Sequence, residues 1–129
     1  MTGSHRAAGR GFTLIELLVV MAIIGTLLAV AVPRYFHSLA HARETVLRQD
    51  LNALREAIDK YYADRNEYPD TLARLAEQRY LRSVPVDPFT KASDTWVVVA
   101  SEDPDHGGIR DVHSGAPEVA SDGTSLGSW

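Results

Sequence analysis

The chain has 129 residues, with 13 Lys and Arg against 17 Asp and Glu, so its formal charge is −4 when histidines are neutral. This balance argues against a protein that holds nucleic acid through many phosphate contacts. The sequence contains no cysteine, so disulfides cannot stabilise the fold, and cysteine usage says nothing about the compartment.

The first predicted element is a short cationic segment followed by a long apolar one. Residues 1–11 carry Arg6 and Arg10 and no acidic residue, and residues 12–32 are largely apolar. The interruptions in this run are Thr13, Glu16, Gly25 and Thr26. At about 1.5 Å per helical residue, the run comes close to spanning a hydrocarbon core of roughly 30 Å. It therefore predicts a membrane anchor.

Two other interpretations compete with the anchor. A secretory signal would be cleaved after Ala31, since Ala29-Val30-Ala31 has the small-x-small form of a cleavage site. The apolar region of such a signal, however, usually has only about 7 to 15 residues, and here it contains Glu16. A buried core helix is disfavoured because fewer than about 100 residues remain to enclose a helix that is apolar on all sides. Such a small remainder also argues against a deep enzyme cleft. The flanking arginines do not fix the orientation of this helix in the membrane. Arg34 and Arg43 follow the apolar run, just as two arginines precede it.

Glu16 is the most informative residue of the segment. A carboxylate inside a bilayer costs on the order of 2.5 to 3.5 kcal/mol even on lenient scales, so it usually has a partner. One interpretation is an interfacial residue that snorkels or takes up a proton. The other is that a cation from another chain meets Glu16 within the membrane.

Residues 11–20 read GFTLIELLVV, which resembles the prepilin cleavage and methylation motif of type IV pilins and type II secretion pseudopilins. The family has a Gly before the cut, an aromatic residue after it and a Glu five residues into the mature chain. The resemblance implies that a prepilin peptidase cleaves after Gly11 and N-methylates Phe12. It also implies that Glu16 neutralises the N-terminal amine of a neighbouring subunit during filament assembly.

The resemblance also implies an organisation and a set of partners. Residues 1–11 would be the leader, 12–33 a transmembrane assembly helix in the lipid of the bacterial inner membrane, and 34–129 a periplasmic head. The chain would form a homo-oligomeric filament with other pseudopilins, driven by a cytoplasmic ATPase and guided by an inner-membrane assembly platform. It would drive export of folded proteins, do no chemistry and bind no nucleic acid. The alternative is a type IV pilin-like subunit of a surface or DNA-uptake fibre; a third possibility is a secreted periplasmic binding domain.

Beyond Pro33, apolar residues recur in steps of three and four, which predicts an amphipathic helix. They are Tyr35, Leu39, Ala42, Val46, Leu47, Leu51, Leu54, Ile58 and Tyr61. A helix over about 12–64 follows, loosened at Gly25 and Pro33. The charged residues between them are predicted to form a solvated face; they include Glu44, Arg48, Asp50 and Arg55. His37 and His41 have metal-binding spacing but no third ligand, so we expect a solvated pair.

The remaining sequence predicts a small α+β head. Asp70 or Thr71 is expected to cap a short helix that ends near Gln78, with Leu72 and Leu75 facing inward. Strands are predicted at 95–100 and 109–112 around a turn at 103–108. The sequence has no P-loop, HExxH or GxGxxG motif, so we expect no enzyme. Tyr-Pro at 68–69 and Asp-Pro-Phe at 87–89 extend the resemblance to the pseudopilins.

The C-terminal segment 114–129 is rich in Ser, Gly and Asp. In the family this loop binds calcium, with two adjacent Asp residues five and four positions before the Trp, whereas this sequence has Thr124 and Ser125 there. Asp111, Glu118 and Asp122 could supply oxygen ligands instead. Two expectations stay open: a calcium site at these three residues, or a loop held by hydrogen bonds and the packing of Trp129.

Overall fold

The computed structural model describes residues 11–129 and confirms the α+β architecture. Helix α1 spans Leu14–Arg65 and helix α2 spans Leu72–Glu77. Strands β1 (Val97–Ala100) and β2 (Ile109–His113) form an antiparallel sheet, and a 3-10 turn follows at Leu126–Ser128. The chain divides into two compact units, of which the first ends at Ser38 and the second is Leu39–Trp129.

In the first unit, α1 is an exposed apolar helix. Every residue from 11 to 38 is exposed, and α1 contains a segment long and apolar enough to cross a membrane. The helix continues through Gly25 and Pro33, although proline has no N–H to donate to the preceding turn. The expected loosening at these two residues therefore does not interrupt α1.

In the second unit, one stripe of α1 forms the centre of a hydrophobic core. The buried residues of this stripe are Leu47, Leu51, Leu54, Ala57, Ile58 and Tyr61. The remaining core residues are Leu75, Trp96, Ile109, Val112, Ala116, Ala120 and Leu126. The amphipathic pattern predicted this part of the stripe correctly. The predicted apolar positions Tyr35, Leu39 and Val46 are exposed instead.

Helix α2 and the sheet follow the predicted elements closely. The Thr71 hydroxyl accepts a hydrogen bond from Arg74 N at 3.2 Å, and this N-cap explains where α2 begins. Leu75 is fully buried. In the sheet, Val98 pairs with Val112, and a bulge lies between Val99 and Ala100.

A buried carboxylate organises the connection between α2 and the sheet. Asp87 is fully buried and accepts hydrogen bonds from Phe89 N at 2.8 Å and from the Ser114 hydroxyl at 2.5 Å. Trp96 Nε1 donates to Pro85 O at 2.8 Å. These bonds satisfy polar groups that would otherwise be costly in the core.

Candidate functional site

The candidate processing site lies at the start of α1. Gly11 has a φ of 63°, and the Thr13 hydroxyl accepts a hydrogen bond from Glu16 N at 3.1 Å. Thr13 is therefore the N-cap of α1, and Glu16 occupies its first turn. The Thr-x-x-Glu spacing is the signature of a capping box. The signal is present in the sequence, but the membrane context of Glu16 alone does not reveal it.

The surroundings of Glu16 are apolar and open. Phe12 is 86% exposed, and Leu14 and Ile15 are exposed as well. Within residues 11–129, the Glu16 carboxylate has no hydrogen-bond or ion-pair partner. The partial positive charge at a helix N-terminus favours a carboxylate in the first turn. The carboxylate is thus suitably placed to receive a cation from outside the chain.

The roles of Gly11, Phe12 and Glu16 in processing and assembly stay predictions from the motif. The structure places these residues within a little more than one helical turn, at the exposed start of α1. Arg6 and Arg10, the cations of the expected leader, lie outside the described residues.

The three residues expected to bind calcium have other contacts or none. Asp111 Oδ1 accepts from Arg55 Nε at 2.9 Å and from Val112 N at 2.8 Å. Burial alone would raise the pKa of Asp111, but the bond from Val112 and the Arg55 charge hold it below its ordinary value. Glu118 is exposed.

Asp122 also has partners within its own loop. Its Oδ1 accepts from the Thr124 hydroxyl at 2.6 Å and from Thr124 N at 3.0 Å. These two bonds lower the pKa of Asp122, and the Arg48 charge lowers it further. Among residues 11–129, no three His, Cys, Asp or Glu side chains lie together as a metal site would require. As placed, Asp111, Glu118 and Asp122 do not fit a calcium ion.

Two charged residues that were predicted to be solvated instead tie α1 to the C-terminal loop. Glu44 is only 8% exposed and accepts from Ser121 N at 2.6 Å and from the Ser121 hydroxyl at 2.8 Å. Arg55 donates to Asp111, to Val112 O at 2.9 Å and to the main-chain oxygen of Trp129. The prediction was wrong at these positions because the returning loop covers this flank of α1.

His41 has a neighbour that its spacing from His37 did not reveal. His41 Nδ1 lies 3.9 Å from Glu44 Oε2, and the imidazole is largely exposed. His37 is exposed too.

Comparison with known proteins places this geometry in a family. Residues 6–32 match the family model described as the prokaryotic N-terminal methylation motif. The chain is 30% identical to the type II secretion system core protein G of Klebsiella michiganensis, over 97% of this chain and 96% of that protein. It is 35% identical to the protein of the same name from Pseudomonas aeruginosa, over 66% of this chain and 71% of that one.

A pilin is also similar, over a shorter part of both chains. The type IV major pilin protein PilA of Myxococcus xanthus is 39% identical over 47% of this chain and 28% of its own length. No solved structure matches the chain. The methylation motif, the exposed helix that follows it and the near full-length similarity to core protein G lead to one conclusion: the chain belongs to the major pseudopilins of type II secretion, within the type IV pilin family.

Proposed function

We propose that this chain is a structural subunit of the type II secretion pseudopilus, a filament anchored in the inner membrane with its heads in the periplasm. In this function the chain performs no chemistry. Processing by the prepilin peptidase prepares it for assembly, and assembly with other pseudopilins on the inner-membrane platform drives the export of folded proteins. Removal of residues 1–11 would change the formal charge from −4 to −6.

The observation that carries the proposal is the exposure of an entire apolar helix segment. A folded protein in water rarely exposes so much contiguous apolar surface, yet residues 11–42 are all exposed. Lipid and the helices of sister subunits are the environments in which such a surface is stable. The same segment carries one carboxylate, Glu16, which needs a partner there.

The pairing of Glu16 explains why a subunit would join a filament. Cleavage after Gly11 would create an amine on Phe12, a cation at the depth of Glu16. Residues 12 and 16 are four apart, so within one helix they would lie on the same face. If Glu16 were satisfied by its own Phe12, assembly would gain nothing from the pair. We therefore place the decisive contact between Glu16 of an incoming subunit and Phe12 of its neighbour.

Mass spectrometry of the mature N-terminus tests the processing step. Cleavage after Gly11 and methylation give a chain that begins with N-methyl-Phe12, whereas a secreted domain released after Ala31 would begin with Val32. Gly11→Glu should leave unprocessed protein in the membrane, because the residue before the cut must be small. A mature N-terminus at Val32, or equal gel mobility of Gly11→Glu and the mature wild type, would contradict the proposal.

The similarity to the Myxococcus xanthus pilin favours one alternative, a subunit of a surface or DNA-uptake fibre. A strain that lacks the gene for this chain distinguishes the two functions. Loss of an exported enzyme from the medium, restored by the wild-type chain, supports the secretion filament. Unchanged secretion together with loss of surface fibres or of DNA uptake would support the pilus.

A further inference from the structure

The C-terminal loop, in which the family resemblance implies a calcium ion, is held in this chain by a guanidinium group. Arg55 reaches from α1 to three acceptors: one carboxylate oxygen of Asp111 and the main-chain oxygens of Val112 and Trp129. The ring nitrogen Nδ1 of His113 lies 2.6 Å from the same Trp129 oxygen. One cationic side chain therefore joins α1, the end of β2 and the last residue of the loop.

These acceptors are the kind of ligand that calcium takes. Calcium in proteins is held by carboxylate and main-chain carbonyl oxygens, and the three acceptors of Arg55 belong to these two classes. A guanidinium offers several N–H donors in a fixed planar fork, so it can satisfy such oxygens simultaneously. A divalent cation beside Asp111 would have to displace Arg55, or it would be repelled by the positive charge of the guanidinium at close range.

One of the two residues that depart from the family pattern takes part in a second set of contacts that hold the loop. Thr124 stands where the family has an acid, and its hydroxyl donates to Asp122 Oδ1 at 2.6 Å while accepting from Trp129 Nε1 at 2.8 Å. A carboxylate at this position could not donate to Asp122 and would repel it. The indole of Trp129 also lies under the Arg48 guanidinium, 4.2 Å from the ring centroid. The Thr124 hydroxyl thus links Asp122 to Trp129 without any metal.

We infer that in this pseudopilin Arg55 replaces the calcium ion of the C-terminal loop, with the Asp122–Thr124–Trp129 hydrogen bonds as a second tie, so that the head folds without calcium. The inference concerns the head alone and goes beyond the proposed filament function. A pseudopilin of this kind would assemble in calcium-poor surroundings.

The direct test is thermal unfolding of the full-length mature protein in an uncharged detergent, followed by circular dichroism. We expect the wild-type Tm to be the same in excess EDTA and in excess calcium chloride, and calorimetric titration with calcium chloride to show no binding. A Tm that falls in EDTA or rises with calcium, or stoichiometric calcium binding, would overturn the inference. The measurement needs no substitution, so it stands even if a variant fails to fold.

Variants of Arg55 and Thr124 test the two ties. Arg55→Ala should lower the Tm by about 8 to 16 °C, because it removes the one cation that the Asp111 carboxylate and two main-chain oxygens share. Arg55→Lys should recover only part of the loss, since one ammonium cannot reproduce the fork. Lys60→Ala is the control: it removes another α1 cation, whose pair with Glu56 is exposed. Equal melting of Arg55→Ala and Lys60→Ala would overturn the role of Arg55.

Thr124→Val keeps the side-chain shape and removes the hydroxyl, so we expect a Tm loss of about 4 to 8 °C. Ser125→Ala is its control, because no side-chain hydrogen bond of Ser125 to another described residue is present. A Tm loss no larger than that of Ser125→Ala would show that the Thr124 hydroxyl does not stabilise the loop. These readouts do not involve secretion, so their outcome is independent of whether the filament function holds.

Discussion

The two halves of α1 share one helical backbone but differ completely in what surrounds them. From Leu14 to Ala42 no residue is buried, whereas the stripe from Leu47 to Tyr61 forms the centre of the head core. Apolar content does not explain the difference, since the exposed half is the more apolar one. The upper half packs on its own chain. The lower half has the composition of a helix whose contacts are lipid and other subunits.

Charged residues differ between the halves in the same way. Glu16 has no partner within the described residues, while Glu44 and Arg55 in the head are bound by the C-terminal loop. The lower half, as far as the structure describes it, therefore offers the Glu16 carboxylate no partner. Charges in the upper half are satisfied within the fold. Substitutions in the lower half should affect assembly, and substitutions in the upper half should affect stability.

The largest expected effect is the loss of secretion in Glu16→Ala. The variant should insert and be cleaved as well as wild type, because removal of the charge lowers the cost of insertion. It should nevertheless fail to form filaments, and Glu16→Asp should be intermediate because its carboxylate is one methylene shorter. Secretion assays and cross-linking between cysteines placed on neighbouring helices report this. Wild-type secretion and cross-linking by Glu16→Ala would show that Glu16 is only a tolerated interfacial residue.

Two leucines of α1 give the next largest contrast, in stability. Leu54 is 0% exposed and Leu18 is 59% exposed. Leu54→Ala should destabilise the head by about 2 to 5 kcal/mol, because it leaves a cavity in the core. Leu18→Ala should leave head unfolding unchanged, since Leu18 is exposed and is not a member of the head core. Denaturant unfolding of both variants measures the free energy of unfolding of the head. Equal destabilisation by the two substitutions would contradict the difference between the two halves of α1.

A smaller effect is expected at the buried carboxylate of the head. Ser114→Ala removes the hydroxyl that donates to Asp87 Oδ2, and the uncompensated group should cost about 1 to 3 kcal/mol. Ser101→Ala is a control, since the Ser101 hydroxyl makes only an exposed bond to Asp103 N. Unfolding of Ser114→Ala at the same denaturant concentration as Ser101→Ala would contradict the importance of this bond.

The smallest effect is a gain in stability from Asp50→Asn. Burial, with the nearby Asp87 charge, raises the pKa of Asp50 above its ordinary value. The stability that its protonated form contributes is present below the unfolded-state pKa and is lost as the pH rises through the folded-state pKa. At neutral pH, Asp50→Asn should therefore melt at a higher temperature than wild type.

The advantage of Asp50→Asn should vanish in acid, where both side chains are neutral. Melting curves across the pH range measure it, and Asp59→Asn, on the exposed side of α1, is the control. A gain that persists unchanged below the ordinary pKa of an aspartate would contradict the electrostatic cause.

Periodicity and local chemistry predicted much of the fold. The stripe at 47–61, the Thr71 cap and the pair of strands all follow from patterns within a few residues. The same patterns failed at Glu44 and Arg55, because a helical wheel shows which face is polar but not whether a distant segment returns to cover it. They failed also at Tyr35, Leu39 and Val46, where an apolar stripe is equally suited to the chain's own head or to another subunit.

The sequence by itself determined the membrane-length helix, the processing motif at Gly11 and Phe12, and the lone carboxylate at Glu16. These features are local, and their chemistry depends on residue type and spacing alone. Only the tertiary structure decided how the C-terminal loop is held. That depends on Arg55 meeting Asp111, Val112 and Trp129, which are more than 50 residues away for the first two and more than 70 for the third. Contacts at such separation form only when the whole head packs, and no local pattern encodes them.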